Sequence, residues 1–320
     1  MPNQTQILIL PLIILIELIY FKIANHFNIF DKPNHRSSHN KSTIRGGGIV
    51  FTLSILLYSF IFGNQFQFFL IGLVIIATVS FIDDLTSINN RVRILFHLVS
   101  VGLMFYQIGF YIYPIYIIAI ALFIVIGIIN AVNFMDGING ITGIYALVAL
   151  CSLLYVDKFL IDFTEVNLIV TVILAVSVFG FFNFRTKAKC FAGDVGSVGI
   201  AFILVFLLLQ LILLSKNPTF LILLLIYGLD TVTTIIFRLI RGENIFEAHR
   251  SHFYQYLSNE RNVPQLYVAI SYGVIQLIVN VLFILVFKGS FIFTIFFTAI
   301  LGLIFIGIRF YTEGRERLLG

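Results

Sequence analysis

The chain has 320 residues, 60% hydrophobic and only 11% charged, with a mean hydropathy of +1.05 and a formal net charge of +5. Soluble domains carry about 25% charged residues, and so few charges cannot cover a water-facing surface of this size. Lipid must therefore solvate most of the chain, which excludes a soluble enzyme or a nucleic-acid binder despite a pI of about 9.2.

A spanning helix needs about 20 mostly apolar residues. Eleven stretches meet that need: 6–25, 47–63, 66–82, 95–112, 114–130, 139–156, 166–183, 197–214, 218–239, 265–287 and 290–310. The expected fold is an all-α polytopic transmembrane bundle, one domain over 1–320, with a span count between ten and twelve. Only Gly63, Asn64 and Gln65 separate the second stretch from the third. No basic residue precedes the first stretch and Glu17 interrupts it, so an uncleaved membrane helix is expected there, not a signal peptide. Glu17 is read as the only acidic residue well inside a span. Cys151 and Cys190 are far apart and imply neither a disulfide framework nor a zinc site.

Orientation follows from the lysines and arginines of the connections. Numbered alternately, one side receives 17 of them and the other only Lys158, Lys216 and Lys288. The expected topology has the N-terminus outside, the C-terminus in the cytoplasm, and the chain in the inner (plasma) membrane. The connections 26–46, 83–94, 131–138, 184–196 and 240–264 then share the cytoplasmic face and hold nearly all the polar content.

Those connections carry the motifs. In the first, Asp31-Lys32-Pro33-Asn34-His35-Arg36-Ser37-Ser38-His39 is followed by Arg45-Gly46-Gly47-Gly48, a pattern suited to cradling phosphate or to a positive-inside signal and a loose helix start. Asp83-Asp84 ends the third span. Two adjacent carboxylates near lipid are costly and repel each other, and a divalent cation or a basic partner relieves both costs. Arg91, Arg93 and His97 open the fourth span as a candidate phosphate clamp. Asn130, Asn133 and Asp136 recur every three residues, one side of a helix if the helix continues, and Gly137, Asn139 and Gly140 follow. Phe191-Ala192-Gly193-Asp194-Val195-Gly196-Ser197 precedes the eighth span, where a helix N-terminus attracts anions and an aspartate can hold a phosphate-bridging metal or simply cap the helix. His249-Arg250-Ser251-His252 suits a diphosphate, or a solvated basic loop beside anionic lipid.

Taken together these segments resemble the polyprenyl-phosphate N-acetylhexosamine-1-phosphate transferases, glycosyltransferase family 4. Asp83-Asp84, 130–140, 191–197 and 249–252 occur in that family's order, and the resemblance covers nearly the whole chain. Arg45-Gly46-Gly47-Gly48 and the stretch Glu247 to Gln255 look most like the O-antigen-initiating branch, which serves lipopolysaccharide and related cell-envelope synthesis. The resemblance implies a magnesium-dependent enzyme, with manganese a substitute, that uses a UDP-sugar donor and undecaprenyl phosphate as acceptor, with a homodimer as a further candidate assembly. It implies that Asp194, with Asp84, holds the metal, and that Asp83 or Asp84 positions or deprotonates the lipid phosphate. Asp136 with Asn130 and Asn133 completes a polar floor. Phe191 and Asn139 meet the uracil, while His249, Arg250, His252, Arg45 and Arg93 hold phosphates or sugar. The stretch Asn183 to Cys190 departs from the pattern, lacking the usual proline and running one residue longer. Two rivals stand beside this reading: a transporter or flippase of lipid-linked sugar, which needs intramembrane charges or broken helices near the midplane, and a non-catalytic scaffold.

Overall fold

A computed structural model describes residues 4–31, 42–245 and 249–320. Most of the first-loop motif, with Glu247 and Ala248, lies outside the described residues. In chain order the elements are α1 (Gln4–His26), a small hairpin β1 (Phe30–Asp31) and β2 (Thr43–Ile44), α2 (Ile49–Phe62), α3 (Gln67–Leu85), α4 (Asn90–Gln107), α5 (Ile115–Met135), α6 (Ile141–Phe159), α7 (Val166–Asn183), α8 (Gly193–Ser215), α9 (Leu225–Ile240), α10 (Phe253–Asn259), α11 (Gln265–Val281), α12 (Phe291–Glu313) and α13 (Arg315–Leu319). The protein is an all-α polytopic membrane bundle, and a helix lies on each of the eleven predicted stretches. Nine of them, among the described residues, are long and apolar enough to cross a bilayer. Of the other two, α2 has only 14 residues, and α4 carries two arginines and a histidine in its first half.

Two boundaries differ from the sequence reading. α4 starts at Asn90 because Asn89 caps it, its side-chain oxygen accepting the Arg91 N–H at 2.9 Å. α5 runs on to Met135, so Asn133 as well as Asn130 sits on helix and not in a connection. The helix tolerates them because Asn130 Nδ2 donates to Ile126 O at 2.9 Å and Asn133 Oδ1 accepts from Ser197 Oγ at 2.6 Å.

In lipid, apolar burial provides little drive for helices to associate, and close packing provides more. The bundle is packed around α8, which is 78% buried along its spanning window, whereas α12 is 6% buried and rides at the edge. Phe69 of α3 stacks on Phe206 of α8 with ring centres 3.8 Å apart, and Phe51 of α2 meets Phe179 of α7 edge-on. Gly48 and Gly196 bring α2 and α8 so close that a Cβ on Gly196 would lie 2.6 Å from the Gly48 Cα.

The ninth span is broken. It begins as a 3₁₀ helix, Pro218–Leu224, capped by Asn217 and with proline at its start, and becomes α-helical at Leu225. Such a break survives at membrane depth only if other groups take up the freed backbone atoms. Gln276 of α11 does this: its Oε1 accepts from Ile226 N at 2.9 Å and Tyr145 Oη at 2.7 Å, and its Nε2 donates to Ile222 O at 3.0 Å. Replacing Gln276 by Leu keeps the volume but strands these partners in the core. Thermal unfolding in lipid nanodiscs is expected to show a loss of about 1–3 kcal/mol for each group left unsatisfied.

Candidate active site

The five motif-bearing segments meet at one end of the bundle. The join is made by Asp84. It ends α3 with a fully buried side chain, and its oxygens accept the first N–H groups of α8, Asp194 N at 2.9 Å and Val195 N at 3.0 Å. Arg45, just after β2, places Nε 2.6 Å from Asp84 Oδ1. Tyr20 of α1 donates its hydroxyl to Arg45 O at 2.5 Å. A carboxylate at a helix N-terminus is favoured by the free N–H groups and the helix dipole, and the guanidinium supplies the opposite charge that makes its burial affordable.

The glycines are what let these segments touch. Gly193 has φ +71°, and a Cβ there would lie 2.6 Å from Asp84 Oδ2 and 2.9 Å from the Gly46 backbone. Gly47 N and Gly48 N donate to Phe191 O and Ala192 O at 2.9 and 3.1 Å, and Phe191 N donates back to Ile44 O at 2.8 Å. Gly46 to Gly48 therefore pack against the 191–196 turn as a backbone-to-backbone contact. Phe191 is fixed by its own main chain with its side chain half-buried.

Around this join lie the other acidic groups. Asp83 accepts Ile88 N at 2.7 Å and pairs with Arg93 Nη1 at 3.3 Å. Asp194 stands in the first turn of α8, within electrostatic reach of Asp84, Arg45, Asp83 and Arg93, and no hydrogen bond or ion pair among the described residues ties its carboxylate. Asp136, just past α5, accepts the Thr142 hydroxyl at 2.5 Å. Burial pushes its carboxyl up to about 6, with the Thr142 bond acting in the opposite direction. Asn139 is used structurally: its N–H donates to Gln265 Oε1 at 3.0 Å and its Nδ2 to Arg185 O at 2.9 Å. Asn183 likewise ties the turns together, accepting Gly140 N at 2.7 Å and donating to Cys190 O at 2.8 Å.

The histidine loop reaches the same floor through Phe134. The Tyr254 hydroxyl donates to Phe134 O at 2.8 Å, and the His249 and His252 rings lie 6.2 and 6.1 Å from the Phe134 ring. Burial, then the neighbouring His252 and Arg238, hold His249 down to about 4, so it is neutral at pH 7. Arg250 lines a cavity of about 280 Å³ with Arg241, Arg309 and Arg317.

Two partners of this loop escaped the sequence reading. Asp230, fully buried in the ninth span, accepts Phe253 N at 2.8 Å and Tyr254 N at 3.2 Å, capping α10. Arg309 of α12, 1% exposed, donates to Ser251 O at 3.1 Å and pairs with Glu313 at 2.5 Å. The expectation that Glu17 is the only acid well inside a span is therefore corrected. The signal for Asp230 was its place midway along the stretch 218–239, where an acid marks function or a fixed partner.

Among the described residues no group of three or more His, Cys, Asp or Glu side chains is placed to hold a metal alone. Magnesium, by contrast, needs only one or two protein carboxylates and completes its octahedron with water and substrate phosphates. Asp194 is the carboxylate that fits best, since Asp84 spends its oxygens on Arg45 and α8.

This end of the membrane-embedded bundle thus gathers a carboxylate-rich floor beside basic and imidazole groups. Residues 66–212, from α3 into α8, match the model of glycosyl transferase family 4. That family passes a sugar-1-phosphate to a polyprenyl phosphate, and the match supports a transferase activity of that general kind. The matched stretch contains Asp83, Asp84, Asn133, Asp136 and Asp194, and leaves out Arg45 and the histidine loop. A comparison with curated proteins finds no match.

A carboxyl raised by burial is more stable protonated in the fold than in the unfolded chain. Its contribution to stability is therefore full below the unfolded value near 4 and is lost as pH rises through about 6. The difference in melting temperature between wild type and Asp136→Asn should accordingly change across pH 4–6 and be flat above 7. A difference independent of pH would assign Asp136 an ordinary carboxyl.

Proposed function

We propose that the protein transfers N-acetylhexosamine-1-phosphate, or a related sugar-1-phosphate, from a UDP-sugar to undecaprenyl phosphate at the cytoplasmic face of the inner membrane. The observation that carries this reading is the gathering of Asp83, Asp136 and Asp194 with Arg45 and Arg93 around the N-terminus of α8. A lipid acceptor and a soluble donor can both reach the end of a helical bundle, whereas neither could share a site at mid-membrane.

Phosphoryl transfer asks for positioning and charge neutralisation more than covalent chemistry. A lipid phosphate oxygen attacks the β-phosphorus of the donor, the bond from that phosphorus to the bridging oxygen breaks, and UMP leaves. Polyprenyl-diphosphate-sugar is the product. Asp194 would hold magnesium, which when bound neutralises the diphosphate and the departing UMP. Asp83, steadied by Arg93, orients the incoming lipid phosphate, and Arg45 beside Asp84 faces its charge. Asn133 and Asp136 form the floor, with Asn130 set into α5 behind them. Asn139 commits its NH₂ to Arg185 O, which leaves its Oδ1 to face the base, beside Phe191. His249, Arg250 and His252 meet the diphosphate or the sugar. The arginine–glycine run and the histidine loop support the O-antigen-initiating branch.

The transporter reading draws on Glu17, Asp230 and the broken ninth span. Asp230, however, spends its charge capping α10, and Gln276 closes the break, so neither lines an open path. The charge asymmetry of the connections supports an external N-terminus and a cytoplasmic C-terminus.

The test uses purified protein in nanodiscs with undecaprenyl phosphate, magnesium and a panel of UDP-N-acetylhexosamines, following UMP and glycolipid. Product that requires magnesium and falls by roughly a thousandfold or more in Asp194→Asn is expected, in keeping with loss of a main charge-stabilising group. No product from folded protein with any donor would favour the transporter or scaffold. UMP released in a burst without lipid acceptor would replace direct attack with a covalent intermediate.

A further inference from the structure

His252 is 2% exposed, and neither of its ring nitrogens has a hydrogen-bond partner within bonding geometry among the described residues. A buried imidazole left unpaired is costly. Oδ1 of Asp230 lies 3.5 Å from Nδ1, the outer edge of a contact that catalytic groups often tighten only when substrate binds. Asp230 itself cannot swing away. Besides the two α10 N–H groups it accepts the Tyr272 hydroxyl at 2.6 Å and the Thr234 hydroxyl at 3.2 Å, and Thr234 in turn accepts from Arg309 Nη1 at 2.8 Å. Helices α9, α10, α11 and α12 thus all fix one carboxylate. The imidazole of His252 therefore lies beside a carboxylate that four other donors hold still.

The ring has two polar edges. Nδ1 is the nitrogen beside Asp230, which leaves Nε2 buried and unpartnered among the described residues, in a ring whose centre lies 4.9 Å from that of His249 and 6.1 Å from that of Phe134. We propose that Asp230 is a positioning residue that holds His252 in the Nδ1–H form and presents Nε2 to the diphosphate of the donor. The role of Nε2 rests on the transferase reading above; the tautomer and its dependence on Asp230 do not. The logic is that of a carboxylate behind a working histidine, which fixes the tautomer and ring orientation and raises the basicity of the far nitrogen.

The test has two arms on the full chain in nanodiscs. In the first, ring nitrogen shifts of histidine-labelled protein are read, with His252 assigned by its loss in His252→Ala. The expected result is the Nδ1–H form in wild type and a mixed or Nε2–H form in Asp230→Asn, which retains the size of the carboxylate and one of its two acceptor oxygens. In the second, kcat for glycolipid formation is measured in Asp230→Asn, His252→Ala and the double variant. Asp230→Asn should lower kcat by roughly 10–100-fold, the usual cost of removing such a supporting group. On the His252→Ala background it should cost little more, because a group that acts through another has nothing left to act on. An Nε2–H ring in the wild type, or losses that multiply independently, would overturn the proposal and leave Asp230 as a helix cap. Wild-type protein without transfer activity would sink the transferase reading alone, and the ring shifts would still decide what Asp230 does to His252.

Discussion

The site depends on one carboxylate at one helix end. Asp84 satisfies two of the N–H groups that begin α8 and takes the Arg45 guanidinium at the same time, so three segments distant in sequence are pinned to a single point. The helix it caps is the most buried of the spans, and Asp194 is the next polar group along its first turn. A displaced Asp84 would leave orphaned donors at the head of α8, an unbalanced guanidinium, and an Asp194 without a defined position.

Close backbone contact makes that point rigid. Gly46, Gly47 and Gly48 lie against the 191–196 turn through main-chain hydrogen bonds, and side chains at Gly48, Gly193 or Gly196 would collide with backbone or with Asp84. A second fixed point, Asp230, plays the matching part for the histidine loop, tying it to α9 and α11 and, through Thr234, to Arg309 on α12. The floor between the two is bridged by Tyr254 on Phe134 and by Ser197 on Asn133. Acceptor and donor would thus meet between two independently braced walls.

Much of this was legible in the sequence because lipid imposes simple demands. Runs of apolar residues long enough to span gave the helices, and the polar clusters between them gave the residues that gather at one end. Less legible was what each polar residue does once there. The glycine run before α2 suited a phosphate cradle, but it is consumed by packing against Gly193 and Gly196, a contact between segments about 150 residues apart that no local pattern encodes. Asn139 reads as a base contact, yet its N–H and NH₂ groups, like the side chain of Asn183, hold turns together. Asp230 was passed over because it sits inside an apolar run whose dominant signal is membrane crossing, and the break at Leu225 leaves no mark beyond Pro218 since Gln276, some fifty residues on, repairs it.

The central claim is that the end of α8 forms a metal–diphosphate site around Asp194, with Asp84 holding it in place. The most direct measurement is manganese binding by electron paramagnetic resonance on the full chain in nanodiscs, titrated with and without UDP. The account predicts a tight manganese site that appears only with UDP, is lost in Asp194→Asn, and is competed by magnesium. Manganese binding that ignores UDP, or that survives in Asp194→Asn, would contradict it.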